Sequence, residues 1–172
     1  MELALTDKNI NLRPIREEDS KVLNEIYGNT REKELKQVAY WTAEQKRAFI
    51  QQQFSAQHEY YQKNYIGADF YIIQKNSTTI GRLYLHQNFQ NQGVRIIDIA
   101  ILPSWQNQGI GKGILKDILK SAEEMGNPVS IHVESFNPAK HLYESLGFKK
   151  ISETNGVYHL MEWRAEEIVM GG

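Results

Sequence analysis

The 172-residue chain has no cysteine. Disulfides, thiolate metal sites and a cysteine nucleophile are therefore excluded together. Proline is scarce: Pro14, Pro103, Pro128 and Pro138 stand singly, too scattered for a proline-rich linker. Neither sign of charge prevails, since 20 Lys and Arg face 21 Asp and Glu for a formal net charge of −1. That leaves no electrostatic footprint for nucleic acid or for an anionic membrane surface, and neither is expected as a partner. No apolar run approaches the roughly 18 residues a membrane helix needs. The opening segment MELALTDKNINLRPI has neither a basic start nor an apolar core, so no signal peptide is expected and a cytoplasmic location is. No internal repeat and no linker interrupt the chain.

What is there is an ordinary globular composition, 41% hydrophobic and 24% charged, long enough for one domain, residues 1–172, with a sizeable core. NINLRP alternates and stops at Pro14, a first strand over Ile10 to Arg13. REEDSKVLNEIYG then places Val22, Leu23, Ile26 and Tyr27 at helical spacing, with acids in the first turn and Gly28 at its end. A long polar helix follows Thr42, a plausible N-cap, with Phe49, Ile50, Phe54 and Tyr61 as a narrow apolar stripe. ADFYIIQ and TTIGRLYLH read as a hairpin across KNS. VRIIDIAIL is apolar on both faces apart from Arg95 and Asp98, as in a central strand.

The next helix gathers Ile110, Ile114, Leu115, Ile118, Leu119 and Ala122 on one face and ends near Gly126 and Pro128. VSIHVE is a fifth strand with Val129, Ile131 and Val133 inward. NPAKHLYESLGF is a short helix with Asn137 as N-cap, Pro138 first and Gly147 at its end. A closing hairpin turns at Asn155-Gly156. The expected order is β-α-α-β-β-β-α-β-α-β-β, an α/β fold.

Between the central strand and its helix lies LPSWQNQGIGKGIL, with Gly109, Gly111 and Gly113 at alternate positions. A glycine-rich turn into a helix binds anions, because free amides and the positive end of the helix dipole point to one place. The dinucleotide motif G-x-G-x-x-G fails at Ile114. The P-loop fails at Gln106 and Gly113, so ATP and NAD readings are poor. As mere flexibility the glycines are costly, at about 1 kcal/mol each inside a helix relative to Ala. From local features, anion binding and a plain flexible helix start both stand.

Gln106-Asn107-Gln108-Gly109-Ile110-Gly111 resembles the Q/R-x-x-G-x-G/A signature of the GNAT acyltransferase superfamily. VSIHVESFNPAKHLYESLGF resembles that family's strand, Asn, helix, Tyr and Gly-Phe segment, and the likeness runs from about Asn9 to Trp163. It implies a mixed, mostly antiparallel sheet flanked by helices, with a splayed central strand pair, and acetyl-CoA as donor. The pyrophosphate would rest on the loop and helix mouth, Gln106, Asn107, Gln108, Gly109, Ile110, Gly111, Lys112 and Gly113. The pantetheine arm would lie along backbone groups of Ile99, Ala100, Ile101 and Leu102, with Asn137 and Ala139 near it.

Acyl transfer from a thioester to an amine needs a neutral amine, a donor for the carbonyl oxygen and a proton for the leaving thiolate. By resemblance, a backbone N–H near Ile101 serves the oxygen and Tyr143 is the general acid. A phenol with a pKa near ~10 can protonate a thiolate at neutral pH. The plain reading of Tyr143 is a core tyrosine, since Ala139, Leu142 and Leu146 share its face. His132 stands where some family members carry a glutamate base; Asp98 and then Glu134 are the other base candidates. A buried ion pair of Asp98 with Arg82 or Arg95 is the alternative.

The acceptor side, by resemblance, falls to GNTREKELKQVAYWTAEQ and RLYLH, with Glu32, Glu34, Tyr40, Trp41, Arg82 and Tyr84 as lining candidates. Arg31, Lys33 and Lys36 neutralise the local acids, so no dense acidic patch marks a polyamine site. The five histidines at 58, 86, 132, 141 and 159 show no ligand spacing, and no metal is expected. The expected activity is transfer of acetyl from acetyl-CoA to a primary amine of a small molecule or protein. The alternative is a non-catalytic acetyl-CoA sensor on the same fold. A homodimer is compatible with the family; the sequence does not decide it.

Overall fold

The computed structural model describes residues 3–165. The chain forms a seven-stranded sheet in the order β1-β2-β3-β4-β5-β7-β6, flanked by helices, the mostly antiparallel α/β fold expected. The strands are β1 (Ile10–Pro14), β2 (Asp69–Lys75), β3 (Thr78–His86), β4 (Val94–Ile101), β5 (Val129–Glu134), β6 (Lys149–Thr154) and β7 (Tyr158–Trp163). The helices are α1 (Ser20–Thr30), α2 (Glu32–Lys36), α3 (Ala43–Asn64), α4 (Ile110–Glu124) and α5 (Lys140–Ser145). β4 and β5 pair in parallel over three residue pairs, Val94–Ile96 against Val129–Ile131.

The chain divides into two compact units. One is built from Lys8–Tyr84 and Asp98–Gly111, the other from the residues before Lys8, Leu85–Ile97 and Lys112 onward. In the first unit, Leu23, Ile26 and Tyr27 of α1, Ile50 and Phe54 of α3 and Ile72 of β2 make one buried cluster. The helical spacing of these residues is what turns them to one face. Thr42 caps α3 as the sequence indicates: its hydroxyl accepts the Gln45 N–H at 3.0 Å, and Gln45 returns a bond to the Thr42 N–H at 2.8 Å. Arg13 holds buried Asp19 with two bonds of 2.8 and 2.9 Å, keeping that carboxyl below its ordinary pKa.

In the second unit, Ile114, Leu115, Ile118, Leu119 and Ala122 of α4 are buried, as are Val129, Ile131 and Val133 of β5. Asp117 is buried on α4 beside them. It is held by the Thr6 N–H at 3.0 Å and the Thr6 hydroxyl at 2.6 Å.

Three local expectations change. Gly28 does not end α1, which runs on to Thr30; a Cβ there would meet Ile50 Cγ2 at 3.3 Å, so the glycine lets α1 and α3 close together. The β2–β3 turn is Asn76-Ser77, both left-handed at φ 48 and 71, rather than a three-residue KNS loop. The fifth helix begins at Lys140. Asn137 still braces its approach, with Oδ1 accepting the Ala139 N–H at 2.9 Å. Among the described residues no helix is long and apolar enough to cross a membrane.

Candidate functional site

The loop from Leu102 to Gly109 is tied down by its own glutamines. Gln106 Nε2 donates to the Ile101 carbonyl at 2.8 Å, and Gln108 Nε2 donates to the Ser104 carbonyl at 3.2 Å. Asn107 and Gly109 both adopt left-handed backbone, φ 62 and 78, which turns the chain into α4. A Cβ placed on Gly109 or Gly113 would meet nothing within 4 Å, and one on Gly111 would meet only Ile101 Cγ1 at 3.8 Å. No packing inside the protein demands that Gly111 and Gly113 be bare. The first-turn amides of α4 have no acceptor within the helix, and the side-chain-free surface around them can receive an anion at the positive helix end. Gln106, Asn107, Gln108, Gly109 and Lys112 are exposed, while Ile110 is buried at the foot of the loop.

Along β4 the backbone is less free than the sequence indicates. The Leu102 N–H donates to the Ile80 carbonyl at 2.8 Å, and its own carbonyl accepts from Trp105 at 2.9 Å. The Leu102 N–H is therefore engaged within the protein, and its carbonyl already accepts one bond. The Ile101 carbonyl likewise accepts from Gln106. The Ala100 carbonyl approaches β3 so closely that a Cβ on Gly81 would stand 2.2 Å from it. Gly81 was missed in the sequence, where GRLYLH reads as an ordinary strand start.

The Arg82, Tyr84 and Asp98 side chains come together on β3 and β4. Arg82 is 1% exposed, and its Nη2 donates to Gln57 Oε1 at 3.0 Å and to Asp98 Oδ2. The guanidinium lies over the Tyr84 ring at 4.9 Å and near the Tyr27 ring at 5.9 Å. Asp98 is thus one half of an ion pair with Arg82, not a free base; Arg95 instead binds Ser130 Oγ at 2.8 Å. Burial raises the Tyr61 phenol well above its ordinary value, with Asp98 adding to the effect. Burial also lowers the neighbouring His58 imidazole, helped by the Arg82 charge. Gln57, His58 and Tyr61 escaped the sequence reading as site residues. Their spacing from Phe54 on α3, three, four and seven residues on, was the available signal.

The remaining acceptor candidates lie apart from this cluster. Glu34 pairs with Arg31 at 2.8 Å on the surface of α2. Tyr40 is 83% exposed, so it floors no enclosed pocket. Glu32 is exposed, and Trp41 packs edge-on against Phe49 at 5.4 Å, its plain structural role.

In the other unit, Tyr143 is 5% exposed on α5, with its ring 5.9 Å from that of Phe148. Ala139 and Asn137 precede it, half-buried, and the Asn137 bond to Ala139 uses Oδ1 rather than the Nδ2 amide. His132 and Glu134 share one face of β5 with Ser130, opposite the buried Val129, Ile131 and Val133. His132 is exposed and stands 5.2 Å from the Tyr158 ring. Partial burial, and then the Arg95 charge, hold its imidazole below the ordinary value, so it is neutral at pH 7. Among the described residues no group of acids and histidines forms a metal site.

Known proteins share this fold. Solved structures with the same fold include the PaiA N-acetyltransferase of Thermoplasma acidophilum in complex with coenzyme A, at TM-score 0.63 and 20% identity over 91% of this chain and 99% of that one. A GNAT family acetyltransferase from Elizabethkingia anophelis with acetyl-CoA bound gives TM-score 0.59 and 17% identity over 92% of this chain and 100% of that one. Among curated relatives, the [ribosomal protein bS18]-alanine N-acetyltransferase of Escherichia coli K12 is 31% identical over 44% of this chain and 52% of its own. The N-alpha-acetyltransferase of Sulfurisphaera tokodaii is 32% identical over 37% of this chain and 40% of its own. The chain thus spans about half or less of the length of these curated relatives. The model of the acetyltransferase (GNAT) domain matches residues 29–161, a span that holds the glycine loop, the β3–β4 cluster and Tyr143, and the chain belongs to the GNAT acetyltransferase family.

Proposed function

We propose that the protein is an N-acetyltransferase that moves an acetyl group from acetyl-CoA to the primary amine of a small molecule or protein. The observation that carries this reading is the bare mouth of α4, where three glycines leave space that no protein atom fills. A pyrophosphate has the charge and size for that space, and side chains there would collide with it. Two structural neighbours were determined with coenzyme A or acetyl-CoA bound, which supports the same donor here.

The thioester supplies an activated acetyl group. The chain supplies the rest. In the first unit the N–H of Ile101 is suited to a carbonyl oxygen as charge develops; in the second, Tyr143 is suited to protonate a leaving thiolate and His132 to receive an amine proton, directly or through water. His132 is preferred over Asp98 because Asp98 is already bound to Arg82. It is preferred over Glu134 because a neutral imidazole is intrinsically a stronger base than a carboxylate. No metal enters the scheme, the acceptor site is placed at the β3–β4 cluster, and a soluble, cytoplasmic protein is expected.

The test is a thermal shift with acetyl-CoA followed by thiol release with a panel of amines. Tyr143→Phe is expected to lower kcat by about 10²- to 10⁴-fold while the acetyl-CoA-dependent shift persists. Binding without turnover in the wild-type protein would instead make it an acetyl-CoA sensor, and absence of any shift would remove both readings.

The base assignment predicts a pH dependence. Because burial and Arg95 lower the His132 pKa, its neutral form persists below the ordinary histidine value of about 6.5. The acid limb of kcat/KM, attributed to the protein by comparing variants on one acceptor, is therefore expected at lower pH than 6.5. His132→Gln is expected to reduce the rate and abolish that limb; an identical limb in the variant would acquit His132.

A further inference from the structure

Arg82 is nearly inaccessible, yet only part of its hydrogen-bonding capacity is met. Nη2 serves Gln57 and Asp98, while Nε and Nη1, which carry three of the five guanidinium N–H donors, meet no partner. The Tyr84 hydroxyl lies close enough to the guanidinium to interact with it directly, short of full hydrogen-bond geometry, and among the described residues His58 Nδ1 meets no partner. Leaving a buried donor unmet costs about 1–3 kcal/mol, and more when the group is charged. Native interiors satisfy such groups or hold them for a ligand. Within this cluster the guanidinium has more donors than bonded acceptors.

The charge balance points the same way. The carboxylate paired with the guanidinium among the described residues, Asp98, is 19% exposed and partly solvated, whereas Arg82 is 1% exposed. The buried guanidinium thus keeps donors beyond those that its ion pair uses. A group with two acceptor oxygens and a single negative charge completes it. A dianionic phosphate fits less well, since Asp98 already contributes one negative charge beside the same cation. The Tyr27 and Tyr84 rings lie against the guanidinium, Tyr61 packs edge-on against Tyr84, and together they favour a compact group. Asp98 is where the cluster reaches solvent.

Resting on the proposed acetyltransferase activity, we infer that the acceptor is a small amine that also carries a carboxylate, the amino-acid class, and that the Arg82 Nε and Nη1 donors with the Tyr84 hydroxyl bind that carboxylate. The acceptor's amine is acetylated, and its carboxylate decides which amines enter. The alternative occupant is internal water, which would confer no preference.

The experiment compares free L-amino acids with their carboxamides and with the corresponding decarboxylated amines. Thiol release from acetyl-CoA is read as kcat/KM, and each compound is also tested for thermal stabilisation of the protein in the presence of CoA. The carboxylate-bearing compounds are expected to be preferred by about 10- to 100-fold, chiefly through KM. Tyr84→Phe, which keeps the ring, is expected to compress that ratio several-fold, and Arg82→Lys to remove most of it. Equal use of the three classes, a ratio unmoved by both substitutions, or neither turnover nor stabilisation by any carboxylate-bearing amine overturns the inference. Stabilisation by acetyl-CoA alone reports on the donor reading, so its persistence alongside carboxylate-blind behaviour sinks this inference and leaves that reading intact.

Discussion

Gly111→Glu is expected to eliminate acetyl-CoA binding while leaving the fold at least as stable. A Cβ at this position meets only Ile101 Cγ1 at 3.8 Å, an ordinary contact, so the substitution does not disturb the protein interior. Glutamate is also a better helix former than glycine by up to about 1 kcal/mol, and a carboxylate in the first turn of α4 suits the helix dipole. The same carboxylate would stand where the pyrophosphate is proposed to rest. Like charges brought together at an interface cost several kcal/mol, which corresponds to an affinity loss on the order of 10²- to 10³-fold. The expected signature is thus a divergence between two readings of one thermal scan. The unliganded Tm holds or rises, and the shift on adding acetyl-CoA disappears. An undiminished shift would remove the phosphate cradle and, with it, the main support for the donor.

The second large effect is expected at Gly81→Ala, and it falls on stability. The added methyl would stand 2.2 Å from the Ala100 carbonyl oxygen, 3.1 Å from Ile101 Cα and 3.2 Å from the Ala100 carbonyl carbon. All three are backbone atoms, so no side-chain rotation relieves the clash and β4 itself must move. Overpacking of this kind costs about 3 kcal/mol or more, or a Tm lowered by about 6–12 °C for a domain of this size. Because the displaced residues include Ile101, whose N–H is assigned to the acetyl carbonyl, KM for acetyl-CoA should rise and kcat should fall together. A variant with wild-type Tm would show that the Ala100 carbonyl does not lie against Gly81.

The two substitutions separate two kinds of glycine that look alike in the sequence. Gly111 is legible because it sits in a spaced pattern, Gln106-x-x-Gly109-x-Gly111, at the start of a strongly periodic helix. Gly81 belongs to no pattern. Its need for a bare Cα arises from a carbonyl nineteen residues away on a neighbouring strand, and a contact of that range leaves no local trace. The same distinction holds for the polar residues. Thr42 and Gln45 form their capping box because both partners lie within one helical turn. Asp98 was recognisable as a buried acid needing a partner, yet its choice of Arg82 over Arg95 depended on which side chain β3 and β4 turn to the same place. Tyr40 was misjudged for a related reason: an aromatic in a polar segment reads as buried or exposed with equal ease until the chain around it is placed.

The sequence by itself determined the order of the elements, the glycine loop that opens α4 and the position of Tyr143 on its short helix. These rest on periodicity, caps and turns, which act over a few residues and are written in consecutive letters. Only the tertiary structure decided that the Leu102 backbone bonds to Ile80 and Trp105, that Gly81 admits no side chain, and that Arg82 is buried with unmet donors beside Gln57, His58 and Tyr84. Each of those depends on segments far apart in the chain meeting at atomic distance, and hydrogen-bond satisfaction is a property of that meeting rather than of any one residue.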